Sequence, residues 1–329
     1  MELQIKKWGV LRDSTIPLPG LTVIGGYNAT GKSTVGKLLL AMVKNFRAST
    51  LVRQGGEADI PNPIWDVFGG EFDDLQYAEF IDSRGAVLNA GIASTSMGLS
   101  APSNFDLIDA FLLETPFVAS LARMFSEIQQ LISQDLASVK ISYPYAMNDV
   151  YGKMLRQRKN VSSSHNEISR HIKEVVSGSL VFESAGFVFV EGERKLDPRS
   201  VASGQLGLSI FAKLLENGWI SKDTISVFDE PESHMHPHWQ LIYAKMLVRC
   251  VEELGATIVV TTHTPYMLQA LKVFSDQSLK GKAAFCIAER KGDYAQISVD
   301  ESPDLAKIAP LMTEPMRRIQ LLRDWDYES

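Results

Sequence analysis

The sequence predicts an α/β fold, and three observations carry that expectation. An apolar strand runs directly into a glycine-rich loop and then a helix over residues 21–46. Two later apolar runs, "TISVF" and "ATIVVTT", each stop at residues able to do chemistry. Between these halves lies a stretch with helical rather than strand patterning. The bulk composition agrees. At 329 residues the chain is long enough for one large domain with an insertion or two modest ones, and 45% hydrophobic with 22% charged residues is ordinary for a globular protein. A net charge of −6 excludes a global basic field for nucleic acid or membrane.

Taken in order, Leu3 and Ile5 alternate with polar neighbours, so Glu2 to Trp8 reads as a half-buried strand, and "STIPL" as its partner in an N-terminal β-hairpin. "LTVIGG" is a third strand. Val35, Leu38, Leu39, Met42, Val43 and Phe46 then recur at helical spacing. From Ala48 to Ser103 the pattern weakens and reads as loop with short elements. Phe105 to Ser177 reads as a helical lobe inserted into the α/β core: two helices split by Pro116, the second striped by Phe117, Leu121, Met124, Phe125, Ile128 and Ile132, then a polar helical stretch from Asp149 to Val176. "GFVFVEGERKLD" is a hairpin, Leu206 to Glu216 a helix ended by Asn217-Gly218, and "HWQLIYAKMLVRCVEEL" a helix with Trp239, Ile242, Tyr243, Met246, Leu247 and Cys250 on one face. "AAFCIAER" and "YAQISVD" form a last strand pair, and the tail from Asp304 is helical. The partition expected is 1–103, 104–180 and 181–329 within one domain.

Four motifs carry chemistry. Gly26 to Ser33 matches G-x-x-x-x-G-K-[ST] between a strand and a helix. There the glycines let backbone N–H groups converge on phosphate oxygens, and the helix N-terminus adds positive potential. Gly26, Asn28, Ala29, Thr30, Gly31, Lys32, Ser33 and Thr34 are the candidate nucleotide-binding residues; Lys32 would bridge the β- and γ-phosphates and Ser33 would ligate Mg²⁺. In "TISVFDEPE", Asp229 ends a buried strand, where open α/β sheets bind ligands, and would hold Mg²⁺, while Glu230 is placed to orient an attacking water. "IVVTTHTP" puts His263 at another strand end, where it could report the γ-phosphate. In "SVASGQLGLSIF", Ser203 and Gly204 open a helix, which supplies a hydroxyl and free N–H groups.

In this order the four motifs resemble those of the ABC-type ATPase heads of the RecF/SMC/OLD-like group, over roughly residues 1–47 and 186–275. "VASGQ" is similar to their signature motif, "VFDEPESHMHP" to their extended D-E-P-E-x-H-L-H-P segment and "TTHTP" to their switch-histidine segment. The resemblance implies a P-loop NTPase with a mixed sheet, an N-terminal β-hairpin and an inserted helical lobe. It implies ATP and Mg²⁺ as ligands and Lys32, Glu230 and His263 as the catalytic set; departures from the family pattern at Ala202 and in the glutamine loop make the expected turnover slow, with a nucleotide-sensing structural module of negligible turnover as an alternative. It also implies a homodimer in which ATP is sandwiched between Lys32 of one copy and Ser203, Gly204 and Gln205 of the other. The signature serine of the family is replaced here by Ala202, and Gln76 in "DDLQYAEF" is the candidate for the family's glutamine loop. The D-E-P-E and H-x-H-P combination resembles the OLD-like branch rather than membrane transporters. That branch often adds a nuclease domain, for which the roughly sixty residues after His263 are too few, so a separate effector, a nuclease or toxin in anti-phage defence, is expected as partner.

Other features complete the expectations. Lys153, Arg156, Arg158, Lys159, Arg170 and Lys173 face only Glu167 in their stretch and form a candidate contact for nucleic-acid phosphates, as in a RecF-like repair clamp. His234, His236 and His238 alternate around Pro237, which argues against a shared metal site. Cys250 and Cys286 sit in apolar contexts without metal spacing, the start lacks a signal peptide's apolar core, and no run spans a bilayer. A reduced, cytoplasmic setting with no membrane partner is therefore expected.

Overall fold

The computed structural model describes residues 1–53, 63–68, 75–93, 96–100, 107–122, 124–125, 127, 144–183, 186–233, 235–302, 305–310, 313–314 and 317–320. The chain opens with an antiparallel hairpin of β1 (Glu2–Trp8) and β2 (Leu11–Pro17). Leu3 and Ile5 point inward, and an irregularity in pairing between Ile5 and Lys7 shifts the alternation, so that Trp8 rather than Lys7 is buried. β3 (Leu21–Gly26) is buried throughout, because parallel strands flank it on both sides: β12 (Thr257–Thr262) and β13 (Ala283–Lys291). β11 (Thr224–Asp229) pairs with β12, and β7 (Asp109–Leu113) pairs with β11, both in parallel. These five strands form the parallel heart of the sheet.

The rest of the sheet is built around the hairpin. β14 (Tyr294–Val299) returns antiparallel to β13 and joins β2. β4 (Gln76–Ile81), β5 (Val87–Ala93) and β6 (Ser96–Ser100) form an antiparallel meander beyond β1. Among the described residues the order is β6, β5, β4, β1, β2, β14, β13, β3, β12, β11, β7, a mixed sheet as expected. A second sheet holds β8 (Ser179–Glu183), β9 (Gly186–Glu191) and β10 (Arg194–Leu196), with the expected hairpin at Glu191 and Arg194.

Helices cover both faces. α1 (Lys32–Arg53) packs with the hairpin, and Val35, Leu38, Leu39, Met42, Val43 and Phe46 are all buried in that core. α2 (Pro63–Phe68) and α3 (Tyr145–Leu155) lie beside it. The opposite core gathers α4 (Ser163–Val176), α5 (Ser203–Glu216), α6 (Pro237–Leu254) and α7 (Pro265–Ser278) over Val23, Phe228, Ile258 and Val260. Phe211 stacks on Tyr243 at 5.0 Å, tying α5 to α6. Both cysteines are buried and free, and burial holds their thiols well above the usual range, Cys286 at about 12.

Expectations for the middle of the chain are corrected. Residues 109–113, read as part of a helical lobe, form β7, the edge partner of β11. "DAFLL" is buried at every position, so it lacks the alternation that would mark a strand. The weak pattern before residue 103 contains the β4–β6 meander rather than mostly loop. Of the expected stripe, Phe125 is buried and Leu121 partly so, Phe117 and Met124 are exposed, and Ile128 and Ile132 lie outside the described residues; the face that packs is instead Val118, Ala119, Ala122 and Phe125. The polar helical stretch resolves into α3 and α4, separated at 156–162.

Candidate nucleotide site

The parallel strands place their C-terminal ends side by side. Asp229 is in register with Thr261, and Thr262 with Gly25, so three chemical segments are neighbours although over 200 residues separate the first from the last in sequence. After β3 the chain turns through Ala29 (φ 60°) and Gly31 (φ 82°) into α1. A side chain at Gly31 would be strained at that φ and would meet Leu11 Cδ2 at 2.7 Å, so the loop needs glycine there. Thr30 Oγ1 donates to the Tyr27 carbonyl at 2.8 Å, which braces the turn.

A cleft of about 500 Å³ opens over this loop. Asn28, Ala29, Thr30, Gly31, Lys32, Ser33, Thr34, Asp229 and Glu230 all line it. Gly26 ends β3 beneath the cleft. Lys32 is only 4% exposed; its Nζ donates to the Gly26 carbonyl at 3.0 Å and the Tyr27 carbonyl at 2.8 Å, and lies 3.7 Å from Glu230 Oε1. Burial lowers its pKa, against the pull of Glu230 and Asp229.

The carboxylates are held from β12. Thr261 Oγ1 donates to Asp229 Oδ1 and also accepts from the Glu230 N–H at 3.0 Å. Glu230 has φ 47°, unusual for a residue with a side chain, and this bend turns its carboxylate between Lys32 and His263. His263 Nδ1 is 3.1 Å from Glu230 Oε2, so the histidine meets the acid of the cleft without itself lining the wall. Ser33 and Asp229 face one space, a pairing that fits a magnesium ion completed by phosphate oxygens. Among the described residues no group of three or more His, Cys, Asp and Glu is placed to hold a metal by itself. His236 caps α6 through its Nδ1, and His234 lies outside the described residues.

The signature segment is elsewhere. Ser203 lines a small hollow behind Asp229 and Glu230, not the phosphate cleft. Gly204 is buried because Met235 and Trp239 press on it: a Cβ there would meet Met235 Cγ at 3.0 Å. Gln205 donates to the Val176 carbonyl at 2.8 Å, joining α5 to the end of α4. Gln76 accepts from the Gly9 N–H at 2.8 Å at the β1–β2 turn and does not line the cleft.

The expected basic patch is corrected. Lys153 is buried and paired with Asp109 at 3.0 Å and Asp149 at 2.9 Å. Arg158 binds both oxygens of Asp223 at 2.8 Å, and Lys173 pairs with Glu216. Arg156 and Lys159 are exposed. The partners of these cations come from other elements, and counting acids within one stretch could not find them. Residues the sequence reading passed over also join the site: Glu114, Ser233 and Arg290 line the cleft, and Arg290 Nη1 lies 3.4 Å from the Ala29 carbonyl. Glu232, in the same D-E-P-E run, is buried and bonded to the His263 segment.

Comparison with known proteins bears on the family and the fold. The family model described as "AAA domain, putative AbiEii toxin, Type IV TA system" matches residues 101–269. No curated protein sequence matches the chain. Among solved structures, an Smc head bound to the C-winged helix domain of ScpA superposes with TM-score 0.52 at 15% identity, over 93% of this chain and 99% of that one. The Smc head domain with a coiled coil and joint from Pyrococcus yayanosii gives 0.55 at 11% identity, over 96% and 99%. At such identities the likeness is one of fold.

Proposed function

We propose, from the premise that this chain belongs to the AAA-domain family whose model spans half of it and has the fold of an SMC-type ABC ATPase head, that it binds and slowly hydrolyses ATP. The observation that carries this reading is the single cleft that gathers the Gly-rich loop, Lys32, Ser33, Asp229 and Glu230, with Glu230 bent between Lys32 and His263.

In this reading the loop N–H groups and Lys32 bind the phosphate oxygens. Ser33 and Asp229 would hold Mg²⁺, which would neutralise charge on the β- and γ-phosphate oxygens. Glu230 accepts a proton from water as its oxygen bonds to the γ-phosphorus and the bond to the β-phosphate oxygen breaks. His263 holds Glu230 from the other side and contacts the transferred group. Ser203, Gly204 and Gln205 serve a second copy, so that ATP closes a homodimer and hydrolysis opens it. Ser203 is absent from the lining of its own chain's cleft and lines a hollow that adjoins it through Glu114, Asp229, Glu230 and Ser233.

The proposal extends to a separate effector, a nuclease or toxin in anti-phage defence. The matched family's description names a toxin and a Type IV TA system, and the Smc head above is bound to another protein, ScpA. A cytoplasmic setting belongs to the same reading; among the described residues no helix is long and apolar enough to cross a membrane. The segments 1–103, 104–180 and 181–329 are proposed as two ATPase lobes around an insertion, with β7 contributing to the ATPase sheet. The test is phosphate release with Mg²⁺-ATP by wild type and Glu230→Gln, alongside sedimentation with and without ATP. Wild-type release well above the variant, and an ATP-dependent dimer trapped by Glu230→Gln, are expected. Equal release by the two proteins would sink the enzymatic reading.

A further inference from the structure

Glu232 is the one acid of "DEPE" that faces away from the cleft. It is 2% exposed, and its Oε1 accepts the Thr262 hydroxyl at 2.5 Å and the His263 backbone N–H at 3.2 Å. The same oxygen lies 3.9 Å from His263 Nδ1, while Oε2 has no hydrogen-bond partner. Burying a carboxyl costs free energy that these hydrogen bonds offset only in part, so the position is a poor choice for stability alone. What it does supply is aim, because Oε1 joins the segment after Glu230 to the segment that carries His263.

A second tie runs parallel to it. Gln240 of α6 is buried; it donates to the Met235 carbonyl at 3.1 Å and accepts from Thr264 Oγ1 at 3.1 Å. Residues 262 and 264 on either side of His263 are thus both fixed to the 230–236 segment. The histidine between them is 41% exposed and ends on Glu230. Met235, at the end of the second tie, is also the residue pressed against Gly204 and Gly207 of α5.

We propose that Glu232 is a positioning residue: through Thr262 and the His263 N–H it holds the His263 imidazole on Glu230, with Gln240 as the second strap. This rests on the hydrolytic reading of Glu230 above and adds to it a residue that touches neither nucleotide nor water. The role requires an oxygen acceptor at this position. Misaiming His263 by about an ångström lowers kcat roughly 100-fold, while KM for ATP stays put because the loop and Lys32 still bind phosphate.

The test compares Glu232→Ala, Glu232→Gln and Thr262→Val in the full chain. Two readouts are used: steady-state ATP hydrolysis and the ¹⁵N spectrum of the His263 imidazole without nucleotide. Expected are a large fall in kcat at unchanged KM for Glu232→Ala and Thr262→Val, and recovery of most of the rate in Glu232→Gln, which keeps an amide oxygen. The wild-type imidazole spectrum is expected to report the Nδ1 contact with Glu230, 3.1 Å away, and to shift toward that of a free histidine in Glu232→Ala. Should Glu232→Ala fail to fold, Thr262→Val removes the same bond from the other side. Equal damage by Gln and Ala, or an unchanged imidazole spectrum, overturns the proposal. If wild type hydrolyses no faster than Glu230→Gln, the hydrolytic reading has failed, and the imidazole spectrum alone decides whether Glu232 positions His263.

Discussion

Two charge clusters hang on the same helix, and they are built to opposite ends. At the N-terminus of α1, Lys32 meets Glu230 across 3.7 Å, with His263 beyond, in a cleft open to solvent. Three turns on, Lys44 sits in the interior, 2.6 Å from Asp109 and 2.5 Å from Asp149, and Lys153 bridges the same two carboxylates. Burial disfavours the charge on Asp109, but Lys153 and Lys44 outweigh it and hold the carboxyl down at about 2. Burial likewise opposes the charge on Lys44, and Asp149 with Asp109 outweigh that and raise its pKa. The inner cluster is saturated: α1, β7 and α3 are locked together by charges that satisfy one another. In the outer cluster Glu230 lies on a strained backbone and borders the open cleft, where the proposed function would place a phosphate and a water. A charge network built for structure closes on itself, and one built for chemistry leaves valences facing a cleft.

That contrast can be broken at either end. The largest effect is expected from Asp109→Ala, which leaves the two buried ammonium groups of Lys44 and Lys153 to share Asp149 alone; it should cost about 3–5 kcal/mol in urea unfolding. Phosphate release per folded molecule should stay near wild type. Glu230→Gln should do the reverse, with hydrolysis down roughly 100-fold or more and the urea midpoint little moved. If Asp109→Ala abolished turnover in molecules still folded, the division between the clusters would be wrong.

Acid sharpens the contrast further. Because the folded pKa of Asp109 lies below its ordinary 3.8, its stabilisation is complete above that value and is lost as pH falls toward about 2. Asp109→Asn should therefore be about 2 kcal/mol less stable than wild type near neutrality, with the gap closing between pH 4 and 2 in denaturant titrations. The smallest effect belongs to Arg158→Ala. It removes a bidentate pair with Asp223 that is only partly shielded and should cost about 1 kcal/mol. Reversing exposed Arg156 and Lys159 to Glu should move stability by less than about 0.5 kcal/mol.

The same contrast explains what could be read without coordinates. The phosphate loop, Asp229 and His263 were legible because their signals are local: an apolar strand, then a chemical residue at its end, then a helix. The inner cluster was invisible for the opposite reason. Lys153 finds Asp109 44 residues upstream, and Arg158 finds Asp223 65 residues downstream, so each looked like a free cation in its own stretch. Asp109 was further hidden in a strand without alternation, one that is buried on both faces. Glu232 was in plain view inside a quoted motif, but nothing in its neighbours says that it turns inward.

The buried thiols have a practical consequence. Cys250 and Cys286 are the chain's two cysteines, and both are enclosed with pKa values far above those at which thiolate forms, so alkylating dyes should pass them by. The native chain is thus a silent background for single-site labelling. One cysteine introduced at exposed Lys159 would carry a fluorophore or spin label alone, and the distance between two such labels would test the proposed pairing of two copies on addition of ATP.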